Sequence, residues 1–138
     1  MDEKDRKIVE ILMLDGRIPK VKIAKSLNIT EAAVRKRIQN LENKKIILLY
    51  KAVVNYKTAG LSASITGFDV ESEELWNVVE NLKQLEFVKS LWLTAGDHTI
   101  LAEIVASNTE ELSKFHEDIS KIKGVKKVCP AIILDILK

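Results

Sequence analysis

Ala32, Arg35, Lys36 and Gln39 are the residues whose types and spacing best suit chemistry on another molecule. At about 100° per residue they share one side of a helix, while Val34, Ile38 and Leu41 share the other. Arginine can donate bidentately to guanine, glutamine can pair with adenine, an alanine methyl can touch that of thymine, and lysine suits phosphate. Arg37 falls at the edge of the apolar stripe, where its stem can pack while its guanidinium reaches a phosphate. Lys20, Lys22 and Lys25, just upstream, offer further phosphate contacts. Glu31 at the helix start favours the helix dipole and can accept from cytosine N4. A plainer reading makes Arg35-Lys36-Arg37 an ordinary solvated helix face.

Charge along the chain separates the two readings. Residues 1–60 carry 14 Lys and Arg against 7 Asp and Glu, and the remainder carries 8 against 13, so blocks of +7 and −5 make up the net +2. A basic block joined to an acidic one suits a first part that meets a polyanion.

The elements that must hold these residues are legible in residues 2–44. Ile8, Ile11 and Leu12 form one stripe, Ile23, Ala24 and Leu27 a second, and Val34, Ile38 and Leu41 a third. Asp15-Gly16 and Pro19 separate the first two helices, Asn28 breaks the second from the third, and Thr30 is a suitable N-cap. A helix-turn-helix needs a small residue inside its second helix, a turn residue that tolerates the left-handed conformation and an apolar anchor beyond it. Ala24, Asn28 and Val34 have that spacing.

A β-rich run, Ile46 to Asn55, reads as an extended connector ending near Gly60. From Leu61 the pattern becomes strand (62–70), helix (72–84), strand (88–95), strand (99–106), helix (109–122) and strand (125–137). This βαββαβ order suits a ferredoxin-like antiparallel sheet backed by two helices, whose core faces carry Leu75, Val79 and Leu82, then Leu112, Phe115, Ile119 and Ile122. The chain is thus expected to be α+β, with residues 1–46 a helix-turn-helix domain, 47–60 a linker strand and 61–138 a βαββαβ domain. The strands carry apolar residues on both faces, as in Leu91-Trp92-Leu93 and Ile132-Ile133-Leu134. Two helices cover only one face, so a homodimer through the other is expected.

Other chemistries find little support. The single cysteine, Cys129, forms no internal disulfide and removes a Cys-based metal cluster; His98 and His116 lack metal-ligand spacing and are expected at the surface. No metal and no cofactor are therefore expected. Trp76 and Trp92 suit core or interface. Gly-rich phosphate loops and Gly-x-Ser-x-Gly are absent, which argues against an enzyme. No apolar run reaches the roughly 18 to 20 residues of a membrane span, and the polar start MDEKDRK has no signal-peptide core, so a soluble, cytoplasmic protein is expected.

Thr30-x-x-Ala33-Val34-x-x-Arg37-Ile38-x-x-Leu41, followed by Ile47, Tyr50, Ala52 and Gly60, closely resembles the Lrp/AsnC (feast/famine) transcriptional regulators. Gly96 after a strand and Gly124-Val125 before the last one extend the resemblance across essentially the whole chain. It implies a winged-helix-like DNA-binding domain, a linker strand paired across a dimer, and dimers that assemble into tetramers or octamers. It also implies a small effector, usually an amino acid, bound between dimers at the loop Thr94, Ala95, Gly96, Asp97, His98 and Thr99. Lys45 stands where the family commonly has Gly, and Gly96-Asp97-His98-Thr99 where it often has Gly-x-Tyr-Asp.

The expectation is therefore a sequence-specific regulator of double-stranded DNA, contacting it through Lys22, Thr30, Glu31, Ala32, Arg35, Lys36, Arg37 and Gln39. Its rivals are an architectural DNA-organising protein and, through some haem-pathway decarboxylases that look similar, an enzyme or ligand-binding protein with a vestigial helix-turn-helix.

Overall fold

The computed structural model describes residues 1–138, which divide into two compact units, Met1–Val53 and Val54–Lys138. The first holds α1 (Glu3–Leu14), α2 (Lys20–Leu27) and α3 (Glu31–Asn43). Each helix begins or ends for a local reason. Asp2 accepts from the Asp5 N–H at 2.8 Å and caps α1, and Thr30 Oγ1 accepts from the Ala33 N–H at 3.1 Å and caps α3. Asn28 ends α2 at φ 54, the left-handed turn its position called for. The three stripes meet in one core: Ile8, Ile23 and Val34 are fully buried, with Ala24, Ile38 and Leu41 nearly so.

Beyond α3 the Ile46 N–H donates to Leu41 O and the Lys45 N–H to Glu42 O, both at 3.0 Å, which closes a Schellman turn. Its left-handed position is Lys45, at φ 60. A β-carbon is strained there and glycine is not. Lys45→Gly is expected to stabilise this unit by about 1 kcal/mol, read as a raised denaturant midpoint with unchanged slope.

Residues 48–55 then have no regular secondary structure, so the expected linker strand pairs with nothing in its own chain. The end of that segment is instead a helical turn, α4 (Tyr56–Ala59). Asn55 Oδ1 accepts from the Thr58 N–H at 3.0 Å to start it, and Gly60 at φ 74 stops it.

The second unit continues with β1 (Ser62–Val70), a 3-10 turn (Ser72–Glu74), α5 (Leu75–Lys83), β2 (Val88–Leu93), β3 (Ile100–Ala106), α6 (Thr109–Ser120) and β4 (Val125–Ile132). The sheet is antiparallel in the order β2-β3-β1-β4, as the βαββαβ pattern requires. The last strand stops at Ile132, paired with Ser64, rather than at 137; one more hydrogen bond, from the Ile133 N–H to Ala63 O at 2.9 Å, follows it, and beyond Leu134 the register would run past Ser62, the first residue of β1. Pro130 is tolerated because β4 is an edge strand.

The sheet's two faces differ. Phe68, Ile100, Ala102, Ile104 and Ala106 point toward the helices and are buried with Val78, Leu82, Leu112 and Ile119. Phe87 stacks on Phe115 with ring centroids 3.8 Å apart. The open face carries Ile65, Gly67, Asp69, Leu101, Glu103, Val105 and Cys129, by strand alternation and register. Trp76 and Trp92 are not core residues: they are 66% and 46% exposed and flank a small apolar hollow with Leu91 and Leu93. No helix is long and apolar enough to cross a membrane.

Candidate nucleic-acid interface and loop site

Because Val34, Ile38 and Leu41 are held in the helical core, α3 turns Ala32, Arg35, Lys36 and Gln39 outward, and all four are exposed. Lys22 on α2 is exposed as well. Thr30 has its side chain committed to the α3 N-terminus. Glu31 and Arg35, one turn apart, form an exposed ion pair. Such a pair is worth only a few tenths of a kcal/mol, so it holds Arg35 in place without removing it from other partners.

Arg37 departs from its expected role. Its guanidinium donates to Asp2 Oδ2 at 2.7 Å and Asp5 Oδ1 at 3.0 Å, with the side chain only 31% exposed. The hydrogen bond from Arg37, then that from the Asp5 N–H, holds the Asp2 carboxyl below its usual range. Two carboxylates and two hydrogen bonds tie α3 to α1, so Arg37 orients the outward face. Nothing in the sequence pairs residues so far apart, so Asp2 and Asp5 have no local signal as partners of Arg37.

In the second unit the loop 94–99 is a closed turn between β2 and β3. The Thr94 N–H donates to Thr99 O at 2.8 Å, Thr94 Oγ1 donates to His98 O at 2.7 Å, and the Thr99 N–H donates to Phe68 O at 3.2 Å. Ala95, Gly96 and Asp97 are exposed, whereas Thr94, His98 and Thr99 are half-buried. His98 is not the free surface residue expected. Its ring lies over Gly67, where a β-carbon would stand 2.4 Å from it, and its Nδ1 is 3.1 Å from Asp69 Oδ1. The carboxylate that meets the loop is thus Asp69 of β1, while Asp97 faces outward.

The fold also revises the reading that left no metal-ligand set. Asp69, His98 and Cys129, too scattered in sequence to form a motif, offer ligand atoms all within 4.8 Å of one another. Elsewhere on the open face Glu103 accepts from the Tyr56 and Ser90 hydroxyls. Burial first, then Glu103, pushes the Tyr56 pKa up to about 12.

His116 is likewise not a surface residue. Its Nε2 lies 2.8 Å from Ser64 Oγ and 3.2 Å from Thr66 Oγ1, and the two hydroxyls are 2.7 Å apart. A serine beside an imidazole has the look of an activated nucleophile, yet Ser64 and Thr66 are fully buried where no substrate reaches them. The trio satisfies its own polar atoms beneath α6. Burial pushes the His116 pKa below its ordinary 6.5. Below that value the unfolded chain takes up a proton that the folded one resists, so stability is complete above pH 6.5 and declines as pH falls from there to the depressed folded value. Urea midpoints measured at successive pH values are expected to drop across that window, and His116→Gln is expected to flatten the drop.

Comparison with known proteins accounts for both halves. An AsnC-type helix-turn-helix domain model matches residues 1–42, and an Lrp/AsnC ligand binding domain model matches 64–138. The chain is 50% identical over 140 residues to the HTH-type transcriptional regulator LrpA of Pyrococcus horikoshii, and 49% identical to that of Pyrococcus abyssi, covering 100% of this chain and 99% of each relative. Among solved structures it is similar to that of PH0061, with TM-score 0.87 and 20% identity over 100% of this chain and 95% of the other. It is also similar to the NMB0573/L-Met complex from Neisseria meningitidis, with TM-score 0.74 and 19% identity over 100% and 92%.

Proposed function

Since the chain belongs to the Lrp/AsnC family of transcriptional regulators, we propose that it reads specific double-stranded sites through the outward face of α3. The family is one of regulators, not enzymes. The observation that carries the proposal is the exposure of Ala32, Arg35, Lys36 and Gln39 on a helix whose other face is fixed in a core. Arg35 and Gln39 read base edges with Ala32 beside them; Lys36 and Lys22 hold phosphates. Glu31 and Thr30 set the helix start, and Arg37 orients the helix through Asp2 and Asp5.

The open, partly apolar sheet face supports a homodimer, and higher assembly to a tetramer or octamer follows from the family. Two α3 helices then meet a pseudo-palindromic site roughly 34 Å apart. An amino-acid effector at Thr94 to Thr99 is supported by the ligand-binding domain match and by the L-methionine bound to the Neisseria protein. A regulator that acts on the cell's DNA has the cytoplasm as its place of action.

Selection of duplexes from a random pool, with and without amino acids, tests this. A palindromic consensus is expected, with enrichment that changes when amino acids are added. Retention without a consensus replaces specificity by architectural binding. No retention at all overturns the DNA reading.

A further inference from the structure

The open sheet face brings a thiol, an imidazole and a carboxylate together from three separate segments. Gly67 on β1 and Cys129 on β4 are register partners, so Cys129 stands beside the bare backbone over which the His98 ring lies. Asp69, two residues along β1, emerges on the same face and meets His98 Nδ1 at 3.1 Å. Ligand atoms of all three lie within 4.8 Å of one another, and each residue is half-buried in the single chain.

We propose that Asp69, His98 and Cys129 form a binding site for a divalent cation of the zinc type. The donor set decides the class. A thiolate with an imidazole selects a borderline-soft ion over magnesium or calcium, which take oxygen ligands. Zinc bonds to sulfur, nitrogen and oxygen are about 2.0 to 2.3 Å, which sets tetrahedral ligands roughly 3.3 to 3.7 Å apart. Closing from within 4.8 Å takes a shift of about 1 Å, within reach of side-chain rotation at the three residues. As the metal–sulfur bond forms, the Cys129 thiol gives its proton to solvent, and no electron changes hands. Three protein ligands leave the fourth position to water or to a donor from outside the chain.

Gly67 serves this arrangement directly. Any side chain there would push the imidazole away from the face that Cys129 shares. The bound ion would pin loop 94–99 to β1 and β4, replacing one His98 contact with links to both strands. The site shares His98 with the proposed effector loop, but its test reads metal alone, so its failure is distinguishable from failure of the DNA and effector readings.

The full chain, stripped with a chelator and titrated with cobalt(II), is expected to develop a near-ultraviolet thiolate-to-cobalt absorption that saturates at one ion per chain. Zinc is expected to bleach it. Cys129→Ser removes the band, and His98→Gln and Asp69→Asn each weaken the apparent affinity by at least about tenfold. Circular dichroism shows whether each variant keeps its fold, and a variant that does not is replaced by Gly67→Ala, which displaces the ring without altering a ligand. No thiolate band in the parent chain overturns the proposal. So does a band untouched by His98→Gln and Asp69→Asn, which places the ion on a lone thiol, or one that saturates at one ion per two chains, which joins Cys129 residues from separate copies.

Discussion

Replacing Arg35 with alanine is expected to weaken binding to a selected duplex by about 1 to 3 kcal/mol, roughly five- to 150-fold, while hardly changing affinity for scrambled DNA. The structure supplies the reason for the asymmetry. Arg35 stands exposed beside Gln39 and Ala32, and its only ion pair is the weak one with Glu31. Exchanging that partner for a guanine edge costs a few tenths of a kcal/mol against the 1 to 3 gained, so the base contact prevails. Lys36→Ala is expected to act differently, lowering affinity for all sequences evenly and reducing the salt dependence by about one phosphate contact. Binding isotherms for both variants on matched and scrambled duplexes, at several salt concentrations, separate the two roles. Equal losses on both duplexes for Arg35→Ala would remove it from base reading.

The second large effect concerns the platform beneath that face. Ile23 is fully buried where α2 meets α3, in a unit of 53 residues. Ile23→Ala is expected to cost about 2 to 5 kcal/mol, from lost burial and the cavity left behind. A unit of this size holds roughly 3 to 8 kcal/mol in total, so the substitution takes most of what keeps α3 assembled. DNA binding is expected to vanish at moderate temperature while the sheet unit keeps its amide protection, as hydrogen exchange followed by mass spectrometry would show. Simultaneous loss of protection in both units would mean that they fold as one.

The three helices of the first unit are legible because each carries its own stripe and its own terminator within a few residues. Asn28 shows this: the residue that tolerates a left-handed turn sits where α2 must end. Lys45 shows the opposite, a position whose backbone asks for glycine and whose residue does not announce it. The four-residue α4 was invisible because it is shorter than the period that would reveal it. The apolar pattern of β4 continues through Leu137 although the ladder ends at the Ser64–Ile132 pair, so periodicity alone does not mark where this strand stops.

His116 carries a signal of burial in the sequence itself. It follows Phe115 on the stripe of Leu112 and Ile119, the spacing of a buried helix face. For Asp69, His98 and Cys129 no local signal exists, since only the register of β1 against β4 decides that Cys129 falls opposite Gly67. Arg37 is similar, because its partners lie on α1 and the helical wheel alone leaves its charge unassigned.

The strand order has a consequence for how the chain acquires its shape. β1 is central, and one of its two neighbours, β4, is the last strand in the sequence. Helix pairs close short loops, while the β1–β4 ladder closes nearly the whole sheet unit, so their formation times differ by orders of magnitude. During synthesis the helical unit emerges first and can assemble on its own contacts. β1 meanwhile waits with one edge unpaired until residue 132 leaves the ribosome. Refolding is therefore expected in two phases, a fast gain of helix and a slower closure of the sheet, and the interval between them is when this protein is most open to aggregation.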